Sequence, residues 1–82
     1  MAKVIGKKPP ANDVTLAEIV DQRILRMLRR GEQRLYHVTT EVAEATDTRA
    51  SYCFARLEAL MAEGRVVEVE TNVYALPGRV VS

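Results

Sequence analysis

The chain has few of the residues that mark special chemistry. Its 82 residues include one cysteine, one histidine and no tryptophan. A single cysteine cannot form an internal disulfide, which predicts a reducing, cytoplasmic location. Cys53 and His37 have no second pair of ligands with which to hold zinc. We therefore expect neither a metal nor any other cofactor.

Long apolar runs and catalytic motifs are also absent. No apolar stretch approaches the roughly 20 residues that a membrane span requires. The first residues carry lysine and proline rather than a signal-peptide core. Since there is no glycine-rich phosphate loop and no nucleophile–base pair, we expect no enzymatic activity and no membrane partner. The composition, 48% apolar and 28% charged, is typical of one small globular domain.

The start of the first helix carries a clear signal. Thr15 and Glu18 have the spacing of a capping box, and Gly31 is a natural helix C-cap. Together they predict a helix over 15–30. The proline-rich segment 1–14 before it is expected to be a flexible basic arm, and 78–82 a short tail. At helical spacing, the expected core stripe of this helix is Leu16, Val20, Ile24 and Met27.

The remaining sequence predicts a helix-turn-helix followed by a hairpin. Asp47 and Thr48 can cap a helix that Gly64 ends, and after Gly64 the apolar period changes from helical spacing to alternation. The predicted elements are an extended piece over 35–38, helices over 41–46 and 48–63, and strands over 66–69 and 73–76. The helix over 48–63 is expected to bury Ala50, Cys53, Phe54, Leu57, Leu60 and Met61, and to expose Ser51, Tyr52, Ala55, Ala59 and Ala62.

In this order the chain resembles a winged helix-turn-helix domain. The residues that carry the likeness are Thr39-x-x-Val42-Ala43, Thr48 and Leu57-x-x-Leu60-x-x-x-Gly64-x-Val66, followed by the hairpin. The chain is similar, over about 15–77, to MarR-like and GntR-like domains and to the small fimbrial-operon regulators of the PapI/FaeA kind. The resemblance implies an α+β, mainly α fold, with three helices and a short two- to three-stranded antiparallel sheet. It also implies binding of double-stranded DNA and transcriptional control, with the helix over 48–63 in the major groove.

The placement of charge supports a nucleic-acid partner better than the net charge of +1 does. Residues 1–12 carry +3 and residues 22–34 carry +4, against −6 in the remainder. Several cations on one surface favour phosphate binding, because binding releases condensed counterions. The acidic residues Glu41, Glu44 and Asp47 argue against DNA, and the hairpin tip over 70–72 has no Lys or Arg, unlike a typical wing.

The candidate DNA contacts fall into three groups. Arginine binds guanine in bidentate fashion, and the first turns of a recognition helix meet base edges. The third predicted helix therefore supplies Thr48, Arg49, Ser51, Tyr52 and Arg56. Phosphate contacts are expected from Arg26, Arg29 and Arg30 of the first helix and from Lys7 and Lys8 of the arm. The alternative is that the arginine face is merely solvated and the arm merely disordered.

Two other functions stay open at this point. A winged helix can also serve as a protein–protein interaction module, or as a replication, partition or excision accessory factor. Leu25, expected to lie opposite the core stripe, and the strip Ala55, Ala59 and Ala62 leave room for a helix-packing interface. We therefore expect a homodimer, as a palindromic DNA site would favour.

Overall fold

The computed structural model describes residues 15–79, so the predicted arm and the last three residues of the tail lie outside it. Its elements are α1 (Leu16–Arg29), β1 (Gln33–Arg34), α2 (Leu35–Thr46), α3 (Ala50–Ala62), β2 (Val67–Glu70), β3 (Val73–Ala75) and a 3₁₀ turn (Pro77–Arg79). The predicted fold class is confirmed: three helices and one small antiparallel sheet form a winged-helix layout over this range. None of these helices is both long and apolar enough to cross a bilayer.

Helix α1 begins at the predicted capping box. The Glu18 N–H donates to the Thr15 hydroxyl at 3.2 Å, and the Thr15 N–H donates to the Glu18 carboxylate at 3.1 Å. The C-cap is Arg30 rather than Gly31, which follows it with φ +138°. Leu16 is 49% exposed, so its predicted place in the core is wrong. Val20 and Ile24 are buried as predicted, together with Asp21 and Leu28, and Met27 packs partly buried against the core.

Helix α2 contradicts the predicted extended piece over 35–38. It begins at Leu35, directly after β1, where the Leu35 N–H donates to the Asn72 carbonyl at 2.7 Å. From there Leu35, Val38 and Val42 follow a helical period, and both valines are fully buried. Burial of this face outweighs the local preference of β-branched residues for extended backbone.

The sheet has the strand order β1-β3-β2 and is antiparallel throughout. Both predicted hairpin strands are found within about one residue of their predicted bounds. Asn72 turns the hairpin with φ 63°, in the left-handed region that asparagine tolerates well. An irregularity in register lies between Glu68 and Glu70. The third strand, β1, ties the start of α2 to this hairpin.

One apolar core joins all three helices to the sheet. Its buried members are Val20, Ile24, Leu28, Val38, Val42, Cys53, Leu57, Leu60, Val66 and Tyr74. Two aromatic positions of α3 differ from the prediction: Tyr52 packs against this core, whereas Phe54 is 37% exposed. Leu25 also packs against the core, so the prediction that it points away from the protein is wrong.

Candidate nucleic-acid interface

The turn between α2 and α3 is held by its own side chains. Asp47 ends α2 in the left-handed conformation, φ 56°, and the Thr48 N–H donates to the Ala43 carbonyl at 2.9 Å. The Thr48 hydroxyl lies 2.8 Å from the Thr46 hydroxyl and 3.4 Å from the Cys53 sulfur. These contacts occupy the hydroxyl that was expected to bind phosphate. Thr48 therefore ties the turn to the end of α2 and to α3.

The start of α3 is open to solvent. The N-cap is Arg49, not Asp47 or Thr48 as predicted, and its side chain makes no capping bond. The first N–H groups of a helix have no acceptor within the helix, so this end favours an anion. Arg49, Ala50 and Ser51 are all exposed. Within residues 15–79, Arg49 has no carboxylate partner.

Arg56 makes a different contact from the one expected of a DNA-reading residue. Its Nε and Nη2 atoms each donate to one oxygen of Asp21 at 2.8 Å, joining α3 to α1. The two side chains are largely buried, with 26% and 12% of their surfaces exposed. Hydrogen bonding to the Asp21 carboxylate raises the pKa of the Arg56 guanidinium above its ordinary value. The Nε–Nη2 edge of the guanidinium is thus committed to Asp21.

The side of α3 that faces the protein differs from the prediction in a way that agrees with this ion pair. Tyr52, one turn before Arg56 on the same side, packs against the core, whereas Phe54 is 37% exposed. The exposed residues of α3 are consequently Ala50, Ser51, Phe54, Ala55, Glu58 and Ala62.

The arginines of α1 lie elsewhere. Arg23, Arg26 and Arg30 line a groove between α1 and α2, with His37 and Glu41 on the α2 side. All three arginines are exposed, and none has an ion-pair partner among residues 15–79. Arg29 is exposed in the last turn of α1, outside the residues that line the groove. We call this feature the arginine groove.

The structure does not bring the arginine groove together with the start of α3. The groove is lined by α1 and α2 residues alone. No residue of α3 is among them, so Arg26 and Arg30 do not share a lining with the start of α3. Lys7 and Lys8 lie outside the described residues.

The hairpin turn closes against the start of α2. The Asn72 N–H donates to the Glu68 carboxylate at 2.8 Å, and the Asn72 carbonyl accepts the bond from Leu35. Beside this turn, Tyr36 is 80% exposed. The hairpin is short and acidic, since Glu68 and Glu70 are exposed along β2.

Sequence reasoning missed Asp21, Phe54 and Tyr36 as residues of interest. Asp21 had a detectable signal, because a carboxylate beside the apolar stripe of α1 needs a partner. The sequence carries no signal for the exposure of Phe54, because that exposure depends on how α3 is rotated about its axis. The exposure of Tyr36 was missed because residues 35–38 were predicted to be extended rather than helical.

Within residues 15–79, no three His, Cys, Asp or Glu side chains lie together as metal ligands would. Comparison of the chain with protein-family models, with curated proteins and with solved structures gave no match in any of the three searches.

Proposed function

We propose that the protein is a small sequence-specific DNA-binding protein, and a transcriptional regulator, that engages duplex DNA through the start of α3. The observation that carries the proposal is the open N-terminus of α3, where Arg49 and Ser51 are exposed after a fixed helix-turn-helix. Recognition helices of this motif meet base edges with their first residues.

The chemistry of this end suits a duplex. Free N–H groups and an unpaired arginine attract phosphate or the guanine edge, and the Ser51 hydroxyl can donate or accept. Toward its other end α3 becomes acidic, with Glu58 and Glu63 exposed. The helix is therefore expected to enter the groove by its N-terminal end.

The proposal assigns different parts to the other candidate residues. Arg56 holds α3 against α1, and Thr48 holds the turn, so neither is expected to touch DNA directly. The arginine groove has no α3 residue in its lining, so it is not expected to contact the duplex that α3 reads. With few cations on the reading side, we expect weak non-specific binding and a gain from dimerisation on a two-part site.

Substitution of Arg49 tests the proposal. A duplex is first selected from a random library with the wild-type protein, and affinity is measured by fluorescence anisotropy over a range of salt concentrations. Arg49→Ala should weaken binding by about 1–3 kcal/mol, roughly 5- to 150-fold, since it removes a base or phosphate contact. The matched control, Arg30→Ala, removes an equal charge from the arginine groove and should have a smaller effect. Equal affinity of wild type and Arg49→Ala would argue against reading by α3.

A second candidate function, protein–protein interaction, is favoured by the arginine groove. Three unpaired arginines converge there, beside the exposed aliphatic side chain of Ile19. Such a surface suits a helix that carries both acidic and apolar residues. Tight, salt-sensitive binding of a short Glu/Leu helical peptide, lost in an Arg26→Glu, Arg30→Glu variant while no duplex is selected, would favour this function.

A further inference from the structure

Phe54 is an exposed aromatic on the side of α3 that would face DNA. It is 37% exposed, one of four large apolar residues left exposed within residues 15–79. It stands one turn beyond Ala50 and Ser51, and Ala55 lies next to it on the exposed side. The protein thus presents a phenyl ring flanked by small side chains where a recognition helix meets base edges.

The exposed side of α3 offers little hydrogen bonding to purines. Guanine is read by Arg or Lys and adenine by Asn or Gln. Within Ala50–Ala62 the one basic residue, Arg56, is bonded to Asp21, and there is no Asn or Gln. What the helix exposes in its first half, apart from Ser51, is apolar.

One group in the major groove matches such a surface. The C5 methyl of thymine is apolar, and Phe and Ala side chains pack against it. Resting on the proposed function, we propose that Phe54, assisted by Ala50 and Ala55, is a specificity-determining residue that reads thymine methyl groups. The preferred site then has thymines opposite the first half of α3, next to the phosphate or guanine that Arg49 contacts.

Deoxyuridine tests this contact, because it differs from thymidine by the 5-methyl group alone. In the duplex selected with wild type, each thymine is replaced in turn by deoxyuridine, and affinity is measured at fixed salt. At one or more positions wild type should lose about fourfold in affinity, as expected for one buried methyl group. Phe54→Ala should bind the thymine duplex more weakly than wild type and should lose no further affinity when thymine at those positions is replaced by deoxyuridine. Phe54→Leu, whose side chain is still apolar, should keep part of the sensitivity to that replacement.

Two controls separate the possible failures. Leu16→Ala removes another exposed apolar side chain, on α1, and should leave the uridine effect unchanged; circular dichroism checks that Phe54→Ala is folded. If wild type binds its selected duplex in a salt-dependent way but is indifferent to every uridine replacement, the thymine contact is wrong and the DNA function stands. The thymine contact is equally wrong if Phe54→Ala keeps wild-type affinity and uridine sensitivity. If no duplex is selected at all, both proposals fail together.

Discussion

At the scale of single residues, the most informative contact is the bidentate pair of Asp21 and Arg56. The position of Arg56 in the sequence predicts a DNA contact, whereas in the structure its side chain bonds to Asp21 and joins α3 to α1. Its two partners are 35 positions apart, and sequence periodicity carries no information about which distant carboxylate an arginine meets. The place of α3 in the chain could be predicted from order and spacing, whereas its uncapped start and the pairing of Arg56 with Asp21 could not.

Breaking the pair should loosen α3 against α1. Arg56→Ala leaves the largely buried Asp21 carboxylate without its partner, a change that costs more than removal of both groups. We expect a lower melting temperature for Arg56→Ala, partial recovery in Asp21→Asn, Arg56→Ala, and near-wild-type stability for the exposed control Arg26→Ala.

The thiol of Cys53 is fully buried, so its accessibility to a reagent is a second, independent measure of how tightly α3 packs against α1. Its reaction with a thiol reagent under native conditions should be faster in Arg56→Ala than in wild type or Arg26→Ala. If Arg56→Ala matches wild type in both melting and thiol reactivity, the pair does not fix the position of α3.

At the scale of elements, the local start signal of α1 was easier to predict than the buried faces of the helices or the start of α2. The capping box of α1 is local, since Thr15 and Glu18 are three residues apart, and it forms as predicted. The buried face depends on where neighbouring helices sit, so Leu16 belongs to the apolar stripe of α1 yet extends beyond the part that α2 and α3 cover. Likewise, α2 begins at Leu35 because a hairpin carbonyl, distant in sequence, receives its N–H.

Substitution by alanine can distinguish an exposed apolar residue of a helix from one that is buried in the core. Leu57→Ala removes a fully buried side chain and should cost about 2–5 kcal/mol of unfolding free energy. Leu16→Ala removes the same atoms from a half-exposed position and should cost far less, about 0.5 kcal/mol or below. Urea denaturation of both variants checks this, and similar losses would show that Leu16 is covered in solution.

At the scale of the whole molecule, stability depends on a tyrosine at the centre of the sheet. Tyr74 on β3 is 3% exposed. Burial, followed by the nearby carboxylates of Glu68 and Glu58, raises the pKa of its phenol above the ordinary value of 10.0. Ionisation of this group is therefore more favourable in the unfolded chain than in the folded one.

The protein should accordingly lose stability in alkali. The neutral Tyr74 phenol contributes to the free energy of unfolding in full below about pH 10, and this contribution declines as the pH rises through the higher pKa of the folded state. The melting temperature of wild type should fall between about pH 9 and about pH 11. The melting temperature of Tyr74→Phe should fall less, because phenylalanine has no group that ionises. The control Tyr36→Phe alters an exposed phenol and should follow wild type. Parallel curves for wild type and Tyr74→Phe would contradict this assignment.

Three arginines, unpaired within residues 15–79, gather in a groove that no residue of α3 lines, whereas Glu58 is exposed on α3. A polyanion in solution is therefore expected to meet the arginine groove first. For a protein that reads DNA through α3, the initial encounter and the final complex then use different surfaces, and the molecule must reorient on the duplex between them. Association should consequently be slower than the count of arginines suggests, and removal of charge from α1 should speed the passage from encounter to complex.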